Sequence, residues 1–167
     1  MSDSPPARQA DRAERVAEAL VLAEQADGAR DGAGLGQAAL RLERLGASPQ
    51  TEADAATLAR WRASLPGDLP PMRGRALGPA YRSARLAPGA VTELNQTFLG
   101  GRAAQIVVRV SQGPAPRLVV LDQSNRQVCA VNNDPATCRW VPLYTQRHRI
   151  EIVNTGQETS QIYIVFD

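Results

Sequence analysis

Arg117-Leu-Val-Val-Leu-Asp122 opens a run that continues Gln123-Ser-Asn-Arg-Gln-Val-Cys-Ala-Val131 and then Asn132-Asn-Asp-Pro-Ala-Thr-Cys-Arg-Trp140. Leu118 to Leu121 is an unbroken apolar run, too short for a helix and rich in valine, which reads as a strand buried on both faces. Asp122 to Asn125 supplies turn chemistry, because Asp, Ser and Asn side chains bond their own backbone in tight turns. Gln127 to Val131 then pairs back as a hairpin. Asn132 to Pro135 forms a further turn, and Thr137 to Val141 puts Cys138 and Trp140 on one face.

The same period of two extends on both sides of this run. Downstream, Arg147 to Asn154 alternates, with His148, Ile150 and Ile152 on one face and Arg147, Arg149 and Glu151 on the other. Thr155-Gly156 turns the chain into a last strand, Ser160 to Phe166. Upstream, Tyr81 to Leu86, Thr92 to Phe98 and Gln105 to Val110 read as strands, separated by Ala87-Pro-Gly-Ala90 and Gly100-Gly101. No helical pattern interrupts the series, which points to an antiparallel sandwich.

Before residue 66 the period is helical. Ser4-Pro5-Pro6 is a suitable helix start, and Ala13, Val16, Ala17 and Leu20 fall on one face. Asp27 to Gly36 holds four glycines in ten residues and is expected to form a flexible loop. Leu35, Ala38, Ala39, Leu42 and Leu45 mark a second helix ended by Gly46. A third follows Ser48-Pro49 or Thr51, where Thr51-Glu-Ala-Asp54 resembles a capping box, and carries Leu58, Trp61 and Leu65 on one face. Three short helices bury little alone, so their apolar stripes are expected to pack on one another and partly on the strands. Pro66 to Gly74, with three prolines and two glycines in nine residues, is a linker by composition. The expected organisation is a helical region over 1–66, a linker over 67–74 and a sandwich over 75–167.

The 167 residues contain 19 Lys plus Arg, every one of them Arg, against 17 Asp plus Glu. Residues 1–70 carry 8 Arg against 11 acidic groups and residues 71–167 carry 11 against 6, so the halves differ in sign and should attract modestly. The arginines are scattered with no basic run of five or more, so no nucleic-acid partner is expected. No apolar run is long enough to span a membrane. Cys129 and Cys138 are the only cysteines, one at either end of a hairpin expected about Asn132-Asn-Asp-Pro135. A disulfide is favoured over two separately buried thiols, since paired strands bring such residues within reach of one another. A bridge implies an oxidising compartment, periplasmic or extracellular, with the export signal lying outside this chain.

Residues from about 75 to 167 resemble the bacterial pre-peptidase C-terminal domain. The resemblance lies in Arg85-Leu-Ala-Pro-Gly89 before an alternating strand, Arg117-Leu-Val-Val-Leu-Asp122 followed by Ser-Asn-Arg-Gln-Val, and Tyr144 leading into Arg149-Ile-Glu-Ile-Val-Asn154. It implies a jelly-roll-like β-sandwich and a non-catalytic exported module used in folding, secretion or surface contact. Gly113-Pro-Ala-Pro116 stands where members of that family commonly carry an Asp-x-Asp-like element, a departure that bears on any calcium role the family suggests.

Catalytic signatures are missing. There is no Gly-x-Ser-x-Gly elbow, no phosphate-binding glycine loop with lysine and no two-histidine zinc motif, and His148 falls on an inward strand face. No catalytic residue is assigned. Asp122, Asn125, Asn132, Asn133 and Asp134 are weak candidates for calcium, outweighed by their ordinary role in turns. Trp61, Tyr81, Trp140 and Tyr144 are candidates for stacking on a sugar or peptide, with core packing the better account of most of them. Arg139, Arg147 and Arg149 are the candidate surface for an acidic partner if they converge. The sequence therefore reads as α+β: N-terminal short helices followed by an antiparallel, jelly-roll-like β-sandwich of about eight strands. The expected function is a non-enzymatic accessory or interaction protein of the bacterial cell envelope, with an unidentified protein partner and no required cofactor. The alternative is a calcium- or carbohydrate-binding module.

Overall fold

The computed structural model describes residues 7–65 and 78–167; the Ser4-Pro5-Pro6 start and the proline linker lie outside them. Helix α1 spans Ala7–Gly28, α2 Gly32–Leu45 and α3 Glu52–Arg62, with a two-residue strand β1, Ser48–Pro49, between the last two. Eight further strands follow: β2 Ala80–Leu86, β3 Val91–Phe98, β4 Ala104–Gln112, β5 Arg117–Leu121, β6 Gln127–Val131, β7 Ala136–Trp140, β8 Gln146–Val153 and β9 Ser160–Phe166. They form two sheets, ordered β1-β2-β9-β4-β7 and β3-β8-β5-β6. All pairings are antiparallel except β1 with β2, where Ser48 and Gln50 donate to the carbonyls of Pro79 and Tyr81. The helical half thus contributes a short strand, which its helical period did not announce.

The glycine-rich run is not a flexible loop. Only Ala29, Arg30 and Asp31 break the helices, because Arg30 takes a left-handed conformation (φ 55°) and Asp31 caps α2 by accepting from the Gly34 N–H at 3.0 Å. The glycines serve the start of α2: a Cβ on Gly34 would lie 2.3 Å from the Asp31 carboxylate. Gly46 ends α2 with φ 70°, as expected of a left-handed cap.

Two cores give the molecule three layers. Between the sheets lie Phe98, Ile106, Val108, Leu118, Val120, Ile150, Ile152, Ile162, Ile164 and their neighbours. On the outer face of the five-stranded sheet, Tyr81, Val107, Tyr163 and Val165 pack under α1, α2 and α3 with Val16, Leu20, Leu42, Leu58 and Trp61. The strands buried on both faces are therefore β4 and β9, which carry α1 on their outer side. Strand β5, expected to be buried on both faces, buries Leu118 and Val120 and leaves Val119 and Leu121 half-buried, because among the described residues the helices pack on the five-stranded sheet and not on this one.

Cys129 and Cys138 are bridged, with Cα atoms 5.9 Å apart. They are not hairpin partners, however: β6 and β7 belong to different sheets, so the disulfide staples one open side of the sandwich.

A candidate binding surface at the loop end of the sandwich

Strand register brings three connections to one end of the molecule. Phe98 pairs with Gln146, Ala104 with Trp140 and Leu121 with both Gln127 and Arg149, so loops 99–103, 122–126 and 141–145 are neighbours. Hydrogen bonds brace them. The Gly101 N–H donates to Pro142 O at 2.8 Å, the Gly100 N–H to Thr145 Oγ1 at 3.0 Å and the Gln123 N–H to Gln146 Oε1 at 3.1 Å. Glycine is required at position 100, where a Cβ would fall 2.5 Å from Tyr144 Cα.

Beneath the loops, Phe98, Trp140 and His148 form an aromatic floor with ring centroids 4.9–5.4 Å apart. The Trp140 Nε1–H donates to His148 Nε2 at 3.2 Å, which requires that nitrogen to be unprotonated; Nδ1, 3.3 Å from Gln146 O, carries the hydrogen. Burial is the main cause lowering the His148 pKa, opposed by the Gln146 carbonyl and the charge of Asp122. Both cysteines are bridged, so neither offers this ring a thiol.

Above the floor, large apolar side chains stand exposed beside polar and cationic ones. Leu143 is 94% exposed, Val141 59%, Tyr144 55% and Leu99 51%, so four of the six large exposed apolar side chains among the described residues sit on two touching loops. Isolated exposed apolar residues are ordinary; a group of them on two braced loops is a feature of interaction surfaces.

The residues singled out in the sequence fall differently. Arg139 lies on the outer face of the five-stranded sheet, where it meets Glu14 of α1 at 2.8 Å. Arg147 and Arg149 project from the outer face of the four-stranded sheet, and Arg149 is held by Glu151 at 3.1 Å and Glu93 at 3.7 Å. The three arginines occupy opposite faces and do not converge. Asp122 Oδ1 accepts from the N–H groups of Ser124 and Arg126, and Asp134 Oδ1 accepts from the Val110 N–H. Asp122 and Asn125 lie at one end of β6 and Asn132, Asn133 and Asp134 at the other, roughly 17 Å apart along five strand residues, so they form no single oxygen cage. Of the four candidate stacking aromatics, Trp61 and Tyr81 are buried under the helices, Trp140 is in the floor and Tyr144 alone is exposed.

A second polar cluster stitches the helices to the sheet. Asp54 on α3, 7% exposed, accepts from Ser83 N–H at 2.9 Å and Ser83 Oγ at 2.6 Å, and from Thr51 Oγ1 at 2.8 Å. Half of the expected capping box is present, the Asp54 N–H donating to Thr51 Oγ1, while the carboxylate turns to strand β2. Tyr163 donates to Glu24 at 3.1 Å, and burial first, then nearby carboxylates, hold the Tyr163 and Tyr81 hydroxyls protonated. The sequence identified Thr51 and Asp54 as a cap but carried no sign of Ser83 as the partner.

Leu99, Val141 and Leu143 escaped the sequence reading. Their only local signal is an apolar residue beside Gly100-Gly101 or Pro142, where turn residues are expected to be polar.

No protein-family model matches the chain, and no curated protein matches it. Solved structures similar to it include a mitogen from Yersinia pseudotuberculosis, at 16% identity over 53% of this chain and 84% of that one with a TM-score of 0.45. The pre-peptidase C-terminal domain of a Bacillus anthracis collagenase, of the family whose pattern the strand half resembles, matches at 11% identity over 52% of this chain and 87% of that one, TM-score 0.44. A periplasmic inhibitor of g-type lysozyme from Aeromonas hydrophila matches at 7% identity over 53% and 84%, TM-score 0.43. Likeness at this level is one of β-sandwich shape and carries no argument about activity.

Proposed function

We propose that this protein is a non-enzymatic, exported accessory protein of the bacterial cell envelope whose sandwich is a binding module that works through its loop end. One observation carries the reading: Leu99, Val141, Leu143 and Tyr144 stand exposed together on loops braced by backbone hydrogen bonds. Exposing such a set costs solubility, and a partner that covers it offsets that cost. The disulfide supports an oxidising compartment. Strand order supports reading the sandwich as a jelly roll, since successive strands from β2 alternate between sheets except at the β5–β6 hairpin. The unit over 75–167 acts in this proposal as the binding half, with the helices as its cover. The calcium- or carbohydrate-binding alternative has less support, because the turn carboxylates are already engaged by backbone N–H groups.

A photo-crosslinking side chain at Leu143 tests this, with the same group at exposed Val91 on the opposite end as the control. Adducts in an envelope fraction that form at 143 and not at 91 are the expected result. Equal labelling from both positions, or none, would overturn the loop-end reading.

A further inference from the structure

We infer that the loop end docks on an anionic lipid surface, with Leu143 and Tyr144 inserted among the acyl chains and three arginines against the headgroup phosphates. The inference rests on the loop end being the binding surface and names its occupant.

The first observation is the shape of the apolar set. Leu143 at 94% exposure is nearly free-standing, and Tyr144, Val141 and Leu99 on the same two loops are each more than half exposed. A protein partner needs a matching pocket for such a projection, whereas a bilayer accepts a projecting leucine without one. Tyrosine suits the boundary, having an apolar ring and a polar tip.

The second observation is charge. Arg102 in the first loop, Arg126 in the second and Arg147 at the start of β8 are exposed, and none forms an ion pair among the described residues. Among the described residues at this end, Glu14 meets Arg139 and Asp167 meets Arg12 at 2.7 Å, which leaves the Asp122 carboxylate alone against three guanidinium groups. The end is therefore cationic. Arg147 lies four residues behind Leu143 along the chain, on a strand that leads away from the tip, so apolar side chains lead and a guanidinium follows. A lipid leaflet has the complementary order, hydrocarbon beneath phosphate, and long cationic side chains reach the phosphate layer while their stems stay apolar.

The third is rigidity. The loops are tied to each other through Gly100, Gly101, Pro142 and Thr145. They present the tip without an ordering step on contact, which favours insertion of side chains that are already exposed.

Flotation of the whole protein with phosphatidylcholine vesicles, with and without phosphatidylglycerol, is the test. Binding to the anionic vesicles that weakens as salt rises is expected. Changing Leu143 and Tyr144 to Ser should weaken it at least about tenfold. Each of Arg102→Ser, Arg126→Ser and Arg147→Ser should weaken it by about fivefold at low salt. Val91→Ser, an exposed apolar change at the far end, should leave binding intact. All these positions are exposed, and unchanged melting curves confirm that each variant is folded. No binding to anionic vesicles, or binding that the Leu143/Tyr144 double variant retains, overturns the lipid inference. If position 143 meanwhile crosslinks to an envelope protein, the loop-end reading stands and its occupant is a protein.

Discussion

His148 shows how one residue's surroundings set a measurable property. Its ring is 1% exposed, accepts from Trp140 and lies against Phe98, so protonation in the fold places a second donor against Trp140 and a charge in an apolar floor. A folded-state pKa below the unfolded value means that the unfolded chain takes up the proton first as pH falls. Stability is therefore complete above the unfolded value of about 6.5 and declines as pH drops through that value toward the folded one. The chain has one histidine, so this window is free of other imidazoles. The melting temperature should fall between about pH 7 and pH 5.5 in the wild type and less steeply in His148→Gln. Parallel profiles would contradict it. Asp54 makes a second case at this scale: Asp54→Ala leaves the Ser83 N–H without its acceptor and removes the tie between α3 and β2, and should cost about 2–3 kcal/mol in urea unfolding. A loss below about 0.5 kcal/mol would show that solvent replaces the carboxylate there.

Elements are held together by features that their own sequence encodes only in part. The disulfide joins β6, an edge of one sheet, to β7, an edge of the other. Cys129→Ser with Cys138→Ser should lower stability by about 2.5–3 kcal/mol, the chain-entropy value for so short a loop. The sandwich should also splay at that side, seen as faster amide exchange in β6 and β7 than in β4 and β9. Uniform acceleration across the strands would argue that the bridge acts only on the unfolded chain. At the loop end, Gly100→Ala drives a methyl into the Tyr144 backbone and should displace both loops. Its expected signature is a lower melting temperature together with a changed near-ultraviolet signal from Trp140. A variant indistinguishable from wild type would mean that the two loops move independently.

At the scale of the whole molecule, α1 is what makes the five-stranded sheet a central layer. Leu20 is fully buried against the outer face that Val107, Tyr163 and Val165 present. Leu20→Ala should cost about 2–4 kcal/mol by loss of contacts and the cavity left behind. Residues 78–167 produced alone expose that apolar face and should aggregate or melt without cooperativity. A soluble, sharply melting strand half would show that the helices cover the sheet without stabilising it. Charge contributes less than packing here: the Glu14–Arg139 pair joins the halves in the expected sense, but Arg12–Asp167 runs the opposite way, and both are partly exposed.

What the sequence determined by itself was everything with a short period. Alternation, one unbroken apolar run and the turn residues between them placed all eight long strands within about two residues, and helical spacing selected Ala13, Val16, Ala17 and Leu20, each fully buried. Gly46 and Thr51 were legible because caps require particular side chains at particular positions. Periodicity says which residues share a face of their own element; it does not say which element covers that face. Tertiary structure alone decided that the cysteines bridge sheets and not a hairpin, and that α1 buries β4 and β9 on both sides while β5 stays open. It also separated Arg139 from Arg147 and Arg149. The loop end belongs to the same class: Leu99 and Leu143 are forty-four residues apart, and their loops meet only because β3 pairs with β8 and β4 with β7, contacts made by packing over long sequence distances.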